Sequence, residues 1–164
     1  MSAKSKNLSA HQSFKLSHAP KFKIGIIVSE YNEEITSALV RGCVSTLEKY
    51  RVSRKNILIE YVPGAFELPL AAKWIYERKK VNAVIALGCV IKGETTHDVY
   101  INSSVSQALM NLNLQTGAPF VFGVITPNNL QQAKDRAGGK HGNKGVECAV
   151  AALKMLALKS KLKK

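Results

Sequence analysis

The run NAVIALGCVIKGETTH, residues 82–97, decides how this chain is built. From Ala83 to Ile91 it is apolar without a break. A strand with one wet face alternates polar and apolar side chains, whereas a strand covered on both faces does not. The run is far too short to span a membrane, and its β-branched content favours a strand over a helix. It ends abruptly in a polar cluster, Lys92 to His97, that includes a lone histidine. Packing does not require an imidazole at a strand-to-helix turn, but the carboxyl ends of parallel strands are where α/β proteins keep their sites.

Outward from this run the same rhythm recurs. IGIIVS (24–29) precedes a stretch in which Ile35, Leu39, Val40, Cys43, Val44 and Leu47 return at helical spacing. NILIEYV (56–62) leads into a helix expected from about Ala65 to Lys80, and residues 82–90 into one from about Asp98 to Leu114. PFVFGVI (119–125) leads into NNLQQAKDRAG (128–138). A last helix, VECAVAALKMLALKSK (146–161), is expected to follow GGKHGNKG (138–145) directly, without another strand. Apolar strands alternating with amphipathic helices specify a three-layer α/β/α sandwich around a four-stranded parallel sheet, because crossovers joining parallel strands lie over the sheet.

The chain has 164 residues and a formal net charge of +13. Residues 1–23 hold five lysines and no acid, and residues 154–164 another five lysines and no acid. The body keeps 14 basic against 11 acidic side chains, a net +3. The excess therefore belongs to solvated ends, and no aromatic residue alternates with these lysines to stack on bases, which argues against nucleic acid as partner. The expected organisation is a basic amino-terminal arm over 1–22, one domain over 23–158 and a basic tail over 159–164. Cys43, Cys89 and Cys148 lack paired spacing and sit in apolar contexts, so they read as core thiols of a protein kept in a reducing compartment, here the cytoplasm. No run is long enough for a membrane span. The histidines have no metal-ligand spacing, and neither a phosphate-loop nor a dinucleotide fingerprint occurs.

A parallel sheet brings SEYN, VPGAFE, GCVIKGETTH and FGVITPNN to one edge. Tyr31, Phe66 and Phe122 then offer rings, Glu67, Lys92 and Glu94 charges, and His97 an imidazole. A planar aromatic ligand suits such a rim, and the glycine and threonines of KGETTH suit a phosphate. Taken singly, Phe66 and Phe122 equally suit core packing, Glu67 the start of its helix, and His97 a local hydrogen bond at a helix end.

The order and spacing of EYNEEIT, VPGAFELPLAAK, ALGCVIKGETTHDVYI, FGVIT, QAKDRAGGKHGNKG and ECAVAALKML resemble the 6,7-dimethyl-8-ribityllumazine synthases, over roughly residues 22–158. The resemblance implies a flavodoxin-like fold and the penultimate reaction of riboflavin synthesis. In it a ribitylaminopyrimidine condenses with 3,4-dihydroxy-2-butanone 4-phosphate, with no redox step and no cofactor. It implies His97 as the proton-transfer residue. Tyr31 and Phe66 would lie near the pyrimidine ring, Ala65, Phe66 and Glu67 along the ring and ribityl chain, and the backbone of Cys89, Val90 and Ile91 at the ring edge. Glu94 and Thr95 would form the phosphate-side turn. Phe122 and Arg136 would enter from a neighbouring subunit, Arg136 as the phosphate anchor, with Lys140 and Lys144 nearby and Glu147 as an acidic partner, all three as secondary candidates. A homopentamer follows, and the compact RAGGKHGNKG segment matches relatives whose pentamers close into sixty-subunit shells; riboflavin synthase is a candidate partner. Two positions depart from the common pattern. Glu30 stands where many relatives carry a base, and Tyr31 adds a hydroxyl to the stacking ring. A shell or flavin binder that kept the fold without the chemistry is the rival reading, and the joint presence of His97, Arg136 and Glu67 argues against it.

Overall fold

The computed structural model describes residues 7–10 and 19–162. The expected arm thus lies partly outside the described residues, as do Lys163 and Lys164 of the expected tail.

Four strands, β1 (Ile24–Ser29), β2 (Ile57–Val62), β3 (Ala83–Cys89) and β4 (Phe120–Ile125), form one sheet in the order β2-β1-β3-β4, all parallel. The two central strands, β1 and β3, are buried at every position, which is why their sequences are apolar throughout. The helices are α1 (Glu33–Lys49), α2 (Leu68–Lys79), α3 (His97–Thr116), α4 (Leu130–Arg136) and α5 (Lys144–Leu162). Leu39, Cys43 and Leu47 of α1 and Cys148, Ala152 and Leu153 of α5 cover one face, against Ile26, Val28, Ile85 and Leu87. Leu68, Ala72 and Ile75 of α2 and Val105 and Leu109 of α3 cover the other, against Ile27, Val84, Ala86 and Val124. This is the three-layer sandwich and parallel sheet expected from the sequence.

Three local features refine that expectation. The segment from Ala65 opens as a short 3-10 turn, Ala65–Glu67, before the α-helix starts at Leu68, next to Pro69 in the first turn. The glycine-rich segment before α5 is not strandless: Ala137–Gly139 (β5) and Gly142–Asn143 (β6) make a small antiparallel hairpin outside the main sheet. Gly138 and Gly142 take positive φ there, 122° and 85°, and glycine meets no Cβ penalty in doing so. Helix α5 runs from Lys144 to Leu162, two residues earlier and one residue later than the expected 146–161.

Asn143 ties the hairpin to both neighbouring helices. Its Oδ1 accepts from the N–H groups of Gly145 and Val146, capping α5, while its Nδ2 donates to the Ala38 carbonyl of α1 at 2.8 Å and to that of Ala137 at 3.2 Å. A Cβ on Gly145 would collide with the Leu39 carbonyl, so glycine there lets α1 and α5 approach backbone to backbone.

Candidate active site

The expected residues fall into two groups of different construction, one at the carboxyl ends of the strands and one around α4, the β5–β6 hairpin and α5; Phe122, expected at the strand-end edge, instead lies mid-strand in β4.

The first group presents open side chains on a rigid backbone. After β1, Asn32 takes a left-handed conformation, φ 59° and ψ 49°, which asparagine tolerates better than most residues. Its Nδ2 donates to the Cys89 carbonyl at 2.9 Å, so the turn after β1 is pinned to the end of β3. Tyr31, just before it, is 72% exposed. After β2, the turn at Pro63 and Gly64 delivers Ala65 with its side chain buried and Phe66, 61% exposed, beside the exposed Glu67. Tyr31 and Glu67 meet over Gly64: a Cβ built there would lie 3.0 Å from Glu67 Oε2 and 3.5 Å from Tyr31 Cδ2. A carboxylate and an aromatic ring thus stand close together over the buried Gly64.

After β3, pairing with the last strand runs on, Val90 N–H to the Ile125 carbonyl and Lys92 N–H to the Pro127 carbonyl, each at 2.9 Å. This extension holds Cys89, Val90 and Ile91 rigidly, with the Cys89 side chain buried and those of Val90 and Ile91 half-buried. Burial pushes the Cys89 thiol up to about 11, so it stays a neutral thiol near neutrality. Glu94 and Thr95 lie exposed on the loop that follows, with open space around Gly93. His97 is the exposed first residue of α3, its backbone N–H bonded to Thr95 Oγ1 at 3.4 Å. Phe122, mid-strand in β4, is half-buried and packs with Val90 and Ile101 against the core beneath α2 and α3.

The second group is interlocked. Arg136, at the end of α4, donates Nη1 to the His141 carbonyl at 3.0 Å and places Nη2 2.8 Å from Glu147 Oε1 in an ion pair. Lys144 Nζ lies 3.2 Å from the other carboxylate oxygen. The side chains of Arg136 and Glu147 are only 20% and 22% exposed. Two cations against one carboxylate leave the cluster with a net positive charge. It borders a cavity of about 310 Å³ walled by Val124, Ile125, Thr126, Pro127, Gln132, Arg136 and Lys144. Tyr31, Phe66, Glu67 and His97 are not among those walls. Lys140 sits exposed at the tip of the hairpin.

Residues 21–160 match the sequence profile of the 6,7-dimethyl-8-ribityllumazine synthases. The chain belongs to this family. It is 50% identical to the 6,7-dimethyl-8-ribityllumazine synthase of Cytophaga hutchinsonii, an alignment covering 96% of this chain and 98% of that one. It is 46% identical to the enzyme of that name from Phocaeicola vulgatus, covering 96% and 94%, and 47% identical to that from Parabacteroides distasonis, covering 92% and 94%.

Within this family member, sequence reasoning overlooked three residues that build the site. Asn32 stands in the sequence only as the last residue of SEYN, and its left-handed turn carries no pattern beyond the residue type. Gln132 and Thr126, walls of the cation-lined cavity, sit in a segment whose polar composition reads as an ordinary helix start. Asn129 and Gln132 do carry a capping signature: Asn129 Oδ1 accepts the Gln132 N–H at 2.9 Å, and Gln132 Oε1 accepts the Asn128 N–H at 2.8 Å.

Proposed function

We infer that this chain condenses 5-amino-6-(D-ribitylamino)uracil with 3,4-dihydroxy-2-butanone 4-phosphate to give 6,7-dimethyl-8-ribityllumazine, one phosphate and two waters, the penultimate step of riboflavin synthesis. The observation that carries this reading is family membership across nearly the whole chain, joined to a strand-end rim bearing rings, a carboxylate and an imidazole, with a cationic cavity nearby.

In the division of labour we assign, Tyr31 and Phe66 flank the pyrimidine ring, and Glu67 accepts hydrogen bonds from the ribityl hydroxyls. The backbone from Cys89 to Ile91 reads the ring edge. The pyrimidine's free amine attacks the ketone, and water leaves to give the imine. Phosphate is then eliminated, and the ribityl-bearing nitrogen closes the second ring with loss of the second water. His97 moves protons in these steps: it is exposed at the start of α3, and an imidazole can both give and accept a proton. Glu94 and Thr95 line the phosphate side. Arg136 anchors the phosphate; two of its five N–H donors are engaged with His141 and Glu147, and the rest remain for an anion. Lys144 adds positive charge beside it.

The ring-bearing rim and the cationic cavity have separate walls within one chain. This supports a site completed across a subunit boundary, with Phe122 and Arg136 presented to a neighbour, and hence a homopentamer. The compact hairpin before α5 supports a further step to a closed shell of sixty subunits. Three free, buried cysteines fit a reducing compartment, which supports a cytoplasmic enzyme; none of the described helices is long and apolar enough to cross a membrane. Riboflavin synthase, which consumes the lumazine, is the candidate partner of the assembly.

Mixing the purified protein with both substrates should give lumazine absorbance and stoichiometric phosphate release. No product at high enzyme concentration overturns the assignment. Light scattering with electron microscopy at moderate salt should show hollow particles; a species of five chains under every salt and phosphate condition would refute the shell and leave the shared site standing.

A further inference from the structure

Residues Asn7–Ala10 fold back on the hairpin that holds Arg136. The segment is a compact turn, with the Ser9 N–H donating to Asn7 Oδ1 at 2.9 Å and the Ala10 N–H to the Asn7 carbonyl at 3.3 Å. It is fastened to the hairpin at two points. The Leu8 N–H donates to the His141 carbonyl at 3.1 Å. Ser9 Oγ bridges both backbone groups of Asn143, donating to its carbonyl at 3.2 Å and accepting from its N–H. The fit depends on Gly142, where a Cβ would take the space occupied by Ser9 Oγ and Asn7 Oδ1.

The His141 carbonyl is the common point. It accepts from Leu8 on one side and from Arg136 Nη1 on the other. Asn143, the residue that Ser9 clasps, caps α5, and α5 carries Lys144 and Glu147, the second partner of Arg136. Both groups that aim the guanidinium therefore hang on the backbone that the amino-terminal turn clamps. A two-stranded hairpin is marginal by itself, so an outside strap decides how sharply its carbonyls are placed.

We propose that the turn Asn7–Ala10 is a strap that orients the anion site, with Ser9 as a positioning residue acting through Asn143 and His141 on Arg136. The proposal rests on the reading of Arg136 as the phosphate anchor. It assigns a role in binding the phosphorylated substrate to a stretch within the basic arm, outside the family match that begins at residue 21.

The test uses the full chain, its Ser9→Ala, Ser9→Thr and Arg136→Lys variants, and inorganic phosphate as probe. In Ser9→Ala, amide hydrogen exchange at Asn143 and across residues 139–143 should quicken. Inhibition by phosphate should weaken and the KM for the phosphorylated ketone rise, each roughly two- to tenfold, the range of one neutral hydrogen bond. The pyrimidine KM should stay unchanged, and Ser9→Thr should restore the parent values. Unchanged exchange in Ser9→Ala overturns the strap. Faster exchange with parent-like phosphate inhibition, while Arg136→Lys weakens that inhibition, overturns the coupling and leaves the anion site intact. Parent-like inhibition in Arg136→Lys removes the anion site itself, and the positioning role with it.

Discussion

The two halves of the candidate site are built on opposite principles. Tyr31, Phe66, Glu67 and His97 are exposed side chains whose positions come from the backbone beneath them: the Asn32 tether, the Gly64 turn and the β3–β4 extension. Arg136, Lys144 and Glu147 are half-buried and aim one another. The difference follows the chemistry assigned to each half. Groups that stack on a flat ring or pass protons must be reachable, whereas a guanidinium that recognises phosphate gains most from being pre-aimed, since a planar fork works only in one orientation. Exposed rings of this size on one chain also leave a surface for a neighbour to close.

The comparison breaks first at His97. Replacing it by alanine should lower kcat on the order of tenfold to a thousandfold while the pyrimidine KM barely moves, because proton transfer is lost and the rings stay. Steady-state kinetics against both substrates decide this; a collapse of pyrimidine binding at unchanged kcat would make His97 a binding group. Arg136→Lys comes next. An ammonium cannot reproduce two directed contacts, so the KM for the phosphorylated ketone should rise about tenfold, the scale of one charge-assisted hydrogen bond, with the pyrimidine KM unaffected. Gly64→Ala should do the reverse. A methyl 3.0 Å from Glu67 Oε2 makes the carboxylate shift slightly from its place, which should raise the pyrimidine KM by roughly twofold, the low end of a rotamer displacement, and leave phosphate inhibition alone. A variant that shifted both constants would show that the halves are not independent.

The smallest expected effect concerns the thiols beneath the rim. Burial raises all three: Cys89 to about 11, Cys148 to about 12, and Cys43 well above its ordinary value. For Cys148 the neighbouring Lys144 and Arg136 pull down against burial, and burial wins. Because these folded-state values are raised, the neutral thiol is the form that fits the core, and any stability it contributes is present below pH 9 and lost as pH climbs toward 11 and 12. At pH 8 the native protein should resist alkylation by iodoacetamide. Rapid modification of Cys89 there would mean that the end of β3 opens.

How much of this was legible in the sequence varied with the kind of interaction. The main sheet was readable because strands buried on both faces cannot hide their composition: β1 and β3 are apolar from end to end. Tyr31, Phe66, Glu67 and His97 were nameable because rings and ionisable groups stand out at strand ends. The β5–β6 hairpin was not, since AGGKHGN offers neither β-branched residues nor alternation, and its conformation rests on Gly138, Gly142 and the hydrogen bonds of Asn143. An acidic role for Glu147 beside this basic cluster came from the resemblance, not from any local pattern, because Arg136 and Glu147 lie on different helices across that hairpin. The contact of Ser9 with Asn143 joins residues from opposite ends of the chain, and no local pattern announces it.

The Asn32 tether has a consequence for how this site can vary. The turn after β1 is set by a left-handed residue whose side chain satisfies a carbonyl of β3, and the ring beside it has no part in that arrangement. Position 31 is a socket: its occupant can be exchanged among tyrosine, phenylalanine and tryptophan, retuning the stacking surface without moving the frame. Position 32 is the frame. Glycine takes that backbone easily but would surrender the strut to Cys89, and aspartate, which also tolerates it, has no N–H to give the carbonyl, so the freedom of one position is underwritten by the rigidity of the next.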